Sequence, residues 1–280
     1  MHCTLTSTVF PMKPTLIIFA RALVLVLICF ARISGATIDP ATGNARPIVP
    51  EIAAAGYQLG FSDEFNGTGL DQDKWIYRTD SKMLSTQLPT NVSVSGGALH
   101  IVLKKEDANG RHYTGGGIIS RAFYLYGYYE ARLKVPFGAG WHTSFWLQRH
   151  DGSGGTGTKG AAQEIDICEQ TSPKPTYSAG VIDWGLPAFP KGLNFGRKYI
   201  PAPGLPEDFH VWSCEFTHAK VKFFFDGKLT HEVDATKFKH RDENIWLTAI
   251  ATVPVDDSKL PATADFDYVR YYAPPPPAAP

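Results

Sequence analysis

The 280-residue chain consists of short apolar runs separated by turn residues, and this pattern limits what it can fold into. It contains 26 glycines and 21 prolines, and no long stretch repeats its apolar side chains with a helical period. Residues 98–104 alternate apolar and polar side chains, as in a strand with one buried side. Residues 221–225 and 228–230 flank Asp226-Gly227, which predicts a hairpin because Asp-Gly accepts positive φ. The expected fold is all-β, a sandwich or jelly roll of antiparallel sheets.

The charge balance excludes one class of function. Lysine and arginine together number 27, and aspartate and glutamate also number 27, so the formal net charge is zero. No basic block is present to neutralise a phosphate backbone, so we expect no nucleic-acid partner. With 44% hydrophobic and 19% charged residues, the chain has the composition of a folded globular protein.

The first part of the chain resembles a secretory signal. An apolar run at residues 22–31 is followed by small residues up to Ala36. The alternative, an uncleaved membrane anchor, is disfavoured because the run is shorter than the roughly 18 to 20 residues of a membrane span. We therefore expect a secreted protein with no membrane attachment after cleavage. The predicted organisation is a signal peptide at 1–36, a Pro/Ala-rich lead-in at 37–56, one domain at 57–273 and a Pro-rich tail at 274–280.

Two covalent features stay open at this point. Cys168 and Cys214 remain after signal cleavage, and they are either two buried thiols or one disulfide. Asn66 and Asn91 both fit the N-glycosylation pattern, which matters only in a eukaryotic host.

Three carboxylates, Glu164, Asp166 and Glu169, stand among strand-forming residues. In a regular strand the first two share a face, whereas Glu169 points to the other side. One extra residue, a β-bulge at Ile167 or Cys168, would return Glu169 to the same face. The sequence therefore predicts a bulged strand that gathers all three acids on one side.

Such a group suits glycoside hydrolysis with retention of configuration. One ionised carboxylate attacks the anomeric carbon, one protonated carboxyl releases the leaving oxygen, and a third acid can hold the nucleophile. Repulsion among the acids raises at least one pKa, which keeps that acid protonated near neutral pH. The alternatives are an edge strand with solvated acids and a metal-binding cluster.

The Glu-x-Asp-x-x-Glu spacing of these acids resembles the signature of glycoside hydrolase family 16. That family includes endo-β-1,3-glucanases, lichenases, agarases, porphyranases and carrageenases on a β-jelly roll. Further similar motifs follow in the family's order, at residues 61–67 with Trp75, at 126–134, at 145–147, from 209 to 227 and at 267–272. The resemblance covers most of the chain after residue 36.

The resemblance implies a concanavalin-like jelly-roll sandwich of two antiparallel sheets with an open concave cleft. It implies that Glu164 is the nucleophile, Asp166 its assistant and Glu169 the general acid/base. It also implies a polysaccharide substrate, a monomer and no catalytic cofactor or metal, with a structural calcium near Asp267 as an option from the family.

Four residues are expected to contact substrate. Trp141 matches the family's cleft tryptophan, and Trp184 follows the catalytic strand, so both are predicted to stack on sugars. His142 is predicted to touch substrate. Asp183 stands where the family often has histidine, and it is expected to make the cleft more negative and disfavour sulfated galactans. Trp146, Trp212 and Trp246 are expected in the core, and Glu130 and Arg132 are expected to form a structural pair.

The predicted function is a secreted, retaining endo-glycosidase that hydrolyses internal bonds of a β-glucan of β-1,3 or mixed linkage. The alternatives are hydrolysis of a marine galactan (agarose, porphyran or carrageenan), transglycosylation, and a catalytically inactive β-glucan-binding protein on the same fold.

Overall fold

The computed structural model describes residues 37–38, 45–149, 163–184 and 192–276, and strands are the main regular secondary structure of this part of the chain. The predicted signal peptide lies outside the described residues. One short α-helix is described, α1 at Pro50–Ala54, together with 3-10 turns at Pro89–Asn91, Ala235–Lys237 and Asp257–Lys259. None of the described helices has the length and apolar character needed to cross a membrane.

The strands follow one another in chain order. The first ten are β1 Thr37–Ile38, β2 Ala45–Arg46, β3 Gln58–Asp63, β4 Trp75–Tyr77, β5 Ser81–Lys82, β6 Ser85–Gln87, β7 Val92–Ser95, β8 Ala98–Ala108, β9 Arg111–Ser120 and β10 Gly127–Lys134. The next nine are β11 Trp141–Gln148, β12 Gln163–Thr171, β13 Thr176–Asp183, β14 Leu193–Pro201, β15 His210–Phe216, β16 Lys220–Phe225, β17 Lys228–Asp234, β18 Asn244–Ala251 and β19 Ala262–Ala273.

Two antiparallel sheets make up the sandwich. The front sheet has the order β14-β13-β12-β11-β18-β9-β4. The back sheet runs β17-β16-β15-β10-β19, with β3 and β8 on the far side of β19 and β7 beyond β8. Strand β8 also pairs with β9, which joins the sheets at one edge. The predicted all-β sandwich is confirmed, with one exception to antiparallel pairing, since β6 runs parallel to β9.

The core fills the space between the sheets because each strand turns alternate side chains inward. Both sheets contribute fully buried aliphatic and aromatic side chains to one continuous cluster. The front sheet supplies Ile118, Phe145, Leu147, Ile165, Val181 and Leu247, and the back sheet supplies Leu99, Leu133, Trp212, Phe223, Phe266 and Val269. The inner faces of both sheets are therefore covered by the core, whereas the outer face of the front sheet is not part of it.

The predicted hairpin is formed by β16 and β17. Its turn residues Asp226 and Gly227 have φ values of 47° and 74°. Both therefore lie in the left-handed region that a two-residue hairpin of type I′ requires.

The lead-in segment packs on the outer face of the back sheet. Val49 and Ile52 are buried in a small cluster with Tyr128, Phe224 and Tyr272. The backbone N–H of Ile48 donates a 2.8 Å hydrogen bond to Oε2 of Glu130. The lead-in therefore supplies both apolar surface and a hydrogen-bond donor to the sheet.

The expected pair of Glu130 and Arg132 does not form, so that prediction was wrong. Glu130 lies directly opposite Arg270 of β19, whose guanidinium is 3.7 Å away. Arg132 pairs instead with Asp267 at 2.7 Å. Charged partners in a sheet meet across strands more readily than along one strand, and β19 supplies both.

The two cysteines are not bonded to each other. Cys168 and Cys214 are both free and fully buried. Burial raises the pKa of each thiol well above its ordinary value, so both are neutral core side chains.

Candidate active site

The three acids lie on β12, and a bulge sets their direction. Glu164, Asp166 and Glu169 pair with alternate residues of β11, although their own spacing is uneven. Their partners are, in order, Gln148, Trp146 and Ser144. Ile167 is the extra residue that faces no partner on β11, and the register with β13 shifts at the same point. The predicted bulge is confirmed, and it places the three acids on one face of the front sheet.

Glu164 and Asp166 form one coupled pair. Oε2 of Glu164 accepts hydrogen bonds from Nε2 of Gln148 at 2.5 Å and from Nε1 of Trp184 at 3.1 Å. Asp166 is hydrogen-bonded to Glu164 as well. Burial, followed by the charge of Glu164, raises the pKa of Asp166 well above its ordinary value. Burial also raises the pKa of Glu164, but the donors Trp184 and Asp166 oppose that shift. Asp166 therefore holds the proton of the pair and donates it toward an ionised Glu164.

Glu169 is held separately, beyond the bulge. Its Oε1 lies 3.0 Å from Nε2 of His142, and its Oε2 accepts a hydrogen bond from Oγ of Ser178 at 3.3 Å. The guanidinium of Arg197 forms an ion pair with the same Oε2. Nδ1 of His142 is in turn 3.0 Å from Oγ1 of Thr171. Both oxygens of Glu169 therefore have fixed partners.

His142 is a neutral imidazole in this setting. Burial, followed by the nearby positive charges of Arg197 and Arg78, lowers its pKa to about 4. At neutral pH it can donate through one ring nitrogen and accept through the other.

The acids open into a cleft of about 240 Å³ on the front sheet. Its other lining residues include Arg78, Lys82, Met83, His142, Trp146, Ile182, Trp184 and Ile250. The indole of Trp184 is 40% exposed and Met83 is 52% exposed, so the cleft offers apolar surface beside the carboxylates. His142 and Trp184 lie in the cleft, where the sequence analysis expected them, and their contact with a sugar stays a prediction.

Trp141 is not in the cleft, which corrects the expectation that it stacks on substrate. It is fully buried in the core and meets the edge of Tyr113 at a ring distance of 6.0 Å. Alternate residues of β11 face the cleft, and His142 is the one that does so at this end. Neighbouring residues of a strand point to opposite faces, so Trp141 and His142 cannot both face the cleft.

Asp183 is likewise not a cleft residue. It is only 2% exposed and pairs with Gln163, so it faces opposite to Glu164. The expectation that Asp183 makes the cleft more negative and disfavours sulfated galactans was therefore wrong.

Trp146, Trp212 and Trp246 are all buried, as expected. Trp212 lies in the main core, whereas Trp146 and Trp246 form a separate buried cluster with Ile119. The rings of Trp146 and Trp246 stack at 4.6 Å, and Trp146, which is 7% exposed, lines the cleft.

The structure also tests the fit of a metal. Across residues 37–38, 45–149, 163–184 and 192–276, no group of three or more His, Cys, Asp or Glu side chains is arranged to hold an ion. Asp267, the residue considered for calcium, is engaged by Arg132. Calcium also binds backbone carbonyl oxygens, so a structural calcium near Asp267 stays a prediction.

Comparisons with known proteins agree with this geometry. A family model described as "Beta-porphyranase A-D, GH16 domain" matches residues 58–185. The beta-glucanase of Rhodothermus marinus is 29% identical over 247 residues, which cover 78% of this chain and 86% of the relative. The kappa-carrageenase of Pseudoalteromonas carrageenovora is 27% identical over 276 residues, which cover 82% and 68%. A variant of LamA from Z. galactanivorans, solved with laminaritriose and laminaritetraose, superposes with a TM-score of 0.68 at 25% identity, covering 77% of this chain and 98% of that one.

Residues 58–185 therefore match a domain of glycoside hydrolase family 16.

Within this site, three polar contacts were missed by sequence reasoning. Arg197 comes from β14, Ser178 from β13 and Gln148 from β11, and each binds one of the acids. No local motif marks them, because their positions depend on strand pairings that are distant in sequence. The one signal available was the alternation of residues 193–201, which predicts that Arg197 shares a face with residues two apart.

Arg78 was also missed. It is only 3% exposed, and its guanidinium donates to both oxygens of Asp80, at 2.6 and 3.1 Å. The guanidinium lies 5.9 Å from the ring of Trp246, so it is held in place at the far side of the cleft. The site thus combines the hydrogen-bonded carboxyl groups of Glu164 and Asp166, a third carboxyl, Glu169, across a bulge, and basic side chains on two sides.

Proposed function

We propose that this protein is a secreted, retaining endo-glycosidase that hydrolyses internal β-1,3 bonds, or bonds of a mixed-linkage β-glucan. The observation that supports the proposal is the arrangement of the three acids on one face, two as a pair and one apart. Glu164 and Asp166 share a proton, whereas Glu169 is held independently beyond the bulge. A retaining glycosidase needs these two separate carboxyl groups on one side of the scissile bond.

In the first step Glu164 attacks the anomeric carbon and forms a covalent glycosyl ester. Glu169 gives its proton to the glycosidic oxygen as the bond to the leaving sugar breaks. In the second step Glu169 takes a proton from water, the water oxygen attacks the anomeric carbon, and Glu164 is released. Asp166 orients Glu164 throughout by donating its hydrogen bond.

The choice of a β-glucan follows from the relatives. The Rhodothermus protein is a beta-glucanase, and the LamA variant was solved with laminari-oligosaccharides. Trp184 and Trp146 present indole rings to the cleft, and such rings pack well on the apolar faces of sugars. The cleft lies on the outer face of the front sheet, which suits a chain cut at internal bonds.

A second candidate is hydrolysis of a sulfated galactan. It is favoured by the porphyranase description of the family model, by the carrageenase relative and by the basic side chains Arg78 and Lys82 in the cleft. Arg78 is already neutralised by Asp80, which leaves Lys82 as the exposed cation at that side. A neutral glucan therefore fits the described charges better than a polymer with regularly spaced sulfates.

The test is a digestion panel of laminarin, lichenan, agarose, porphyran and carrageenan with the mature protein. We expect short oligosaccharides early in the digestion of laminarin or lichenan, with the newly formed reducing end in the β-configuration by NMR. Glu164→Gln removes the nucleophile, and we expect it to abolish turnover while binding persists. Glu232→Gln is the matched control, since that exposed glutamate lies on β17 of the back sheet, where it forms an ion pair with Lys220.

Release from carrageenan or porphyran alone would replace the glucan assignment with the second candidate. Binding without turnover in the wild type would identify a binding protein. Longer products than the starting oligosaccharide would identify a transglycosylase.

Secretion and a monomeric state are part of the same proposal. Secretion is supported by the apolar run and small residues before residue 37, and the polymeric nature of the substrate requires access outside the cell. N-terminal sequencing of protein from the culture medium, with light scattering for mass, tests both.

A further inference from the structure

Arg197 favours the ionised form of Glu169, whereas the first chemical step needs Glu169 in its protonated form. A guanidinium beside a carboxyl favours the ionised form, whereas a general acid must carry a proton. Arg197 forms its ion pair with Oε2 of Glu169 and donates to Oγ of Ser178 at 3.1 Å, so it is fixed at that position by two contacts. The resting arrangement therefore stabilises Glu169 as an anion.

The two side chains that hold Glu169 differ in how easily they can leave. His142 is on a central strand and is anchored at its other nitrogen by Thr171. Arg197 is on β14, which pairs with β13 and is the edge strand of the front sheet among the described residues, and its side chain is 26% exposed. Displacing Arg197 costs less, because a long side chain at a sheet edge can rotate without breaking the sheet.

A second acceptor lies next to Arg197. Its Nη2 is 4.0 Å from Oδ2 of Asp166, an oxygen with no hydrogen-bond partner in the described part of the chain. A small rotation would carry the guanidinium from Glu169 to that oxygen. The geometry thus provides a second position for the cation within the same site.

We propose that Arg197 is a positioning residue that holds Glu169 ionised in the free enzyme and is displaced when a sugar of the leaving part of the substrate binds. This inference rests on the proposed function. Glu169 then takes up one proton from solvent as substrate binds, and it gives that proton to the glycosidic oxygen when the carbon–oxygen bond breaks. Glu169 therefore carries its proton only when the polysaccharide is bound.

Other ionisable groups around Glu169 do not replace Arg197 in this role. His142 from β11 is neutral at working pH, and Asp166 and Glu164 on β12 are both acids. Arg78 and Lys82 line the far side of the cleft, and Arg78 is engaged by Asp80. Among the described residues, Arg197 is the cation in direct contact with Glu169.

Profiles of kcat/KM and kcat against pH, measured on laminarin, test the inference. The first reports groups of the free enzyme and the second reports groups of the enzyme–substrate complex. For Arg197→Met we expect the alkaline limb of kcat/KM to move up by about 1 to 3 pH units. The alkaline limb of kcat should stay in place, because Arg197 has already left Glu169 in the complex. Arg197→Lys, which keeps the charge, should restore much of the wild-type profile.

Lys198→Met is the matched control. It removes the same charge from the next residue of β14, an exposed side chain whose charge acts on His231 instead. For Lys198→Met, the alkaline limbs of kcat/KM and of kcat should both coincide with those of the wild type. Equal movement of both limbs in Arg197→Met would show that Arg197 stays on Glu169 during the reaction, and no movement would show that it does not hold the acid; either result overturns the proposal.

A measurement without turnover separates this inference from the proposed function. The side-chain carboxyl of Glu169 can be followed by carbon-13 NMR in the full chain without sugar. Arg197→Met should move its titration to higher pH, and an unchanged titration refutes the proposal. If laminarin is not cleaved, the proposed function fails, while this titration still decides whether Arg197 holds Glu169 as an anion.

Discussion

His231 makes the stability of the fold depend on pH in a way that is independent of the cleft. It lies on β17 of the back sheet, is 5% exposed and stacks on Phe223 at a ring distance of 4.7 Å. Burial, with the charge of Lys198, lowers its pKa from 6.5 to about 4. The folded protein therefore resists protonation at His231, whereas the unfolded chain accepts a proton near pH 6.5.

The sign and size of this change in stability follow from the difference between the folded and unfolded pKa of His231. Because the folded pKa is depressed, the contribution to stability is fully present above pH 6.5 and is lost as the pH falls toward 4. A shift from 6.5 to about 4 corresponds to about 3 kcal/mol in total, at about 1.4 kcal/mol per pH unit. By pH 5 about 2 kcal/mol of this should be lost, since the unfolded imidazole is then almost fully protonated.

The assay is urea unfolding of the wild type and of His231→Gln at pH 7.5, 6, 5 and 4. We expect the wild type to lose about 2 kcal/mol more than His231→Gln between pH 7.5 and pH 5. His112→Gln is the control, because His112 is 83% exposed and its replacement should leave the pH dependence unchanged. Parallel curves for the wild type and His231→Gln would refute the reasoning.

Three further outcomes are expected. Trp184→Ala should raise KM by about threefold to tenfold with the melting temperature unchanged, whereas Trp141→Ala should lower the unfolding free energy by about 3 to 5 kcal/mol, as kinetics and urea unfolding would show. In a eukaryotic secretory host Asn66 should carry glycan and Asn91 should not, because Asn91 is 1% exposed and donates to Thr114 at 2.8 Å; mass spectrometry of the glycopeptides would contradict this if Asn91 were occupied. Glu130→Gln should cost about 1 to 3 kcal/mol in urea unfolding, because the buried carboxyl accepts hydrogen bonds from Ile48, Tyr128 and Tyr268, and an amide cannot accept all of them. Arg270 keeps its ion pair with Glu64, and a cost below about 0.5 kcal/mol would contradict that account.

The β-class of the fold and the direction of the three acids could be predicted because both depend on short-range alternation. The bulge at Ile167 is visible in the spacing of the acids themselves, and the hairpin at Asp226 is visible in two adjacent residues. The two faces of β11 could not be assigned in this way, because the motif alone does not show which of the neighbours Trp141 and His142 faces the cleft. Arg197 could not be placed at all, since its contact with Glu169 depends on the pairing of β12 with β13 and of β13 with β14.

The lead-in segment before β3 determines where a recombinant fragment of this protein should begin. The family match begins at residue 58, and a recombinant fragment trimmed to that border would lack Val49 and Ile52 and the amide of Ile48. The carboxylate of Glu130 would then lose one of its donors, and the aromatic patch beneath the helix would face water. Low yield or aggregation of such a fragment would result from loss of the lead-in segment and would not indicate an unstable full-length protein. Expression of the domain should therefore start upstream of residue 45.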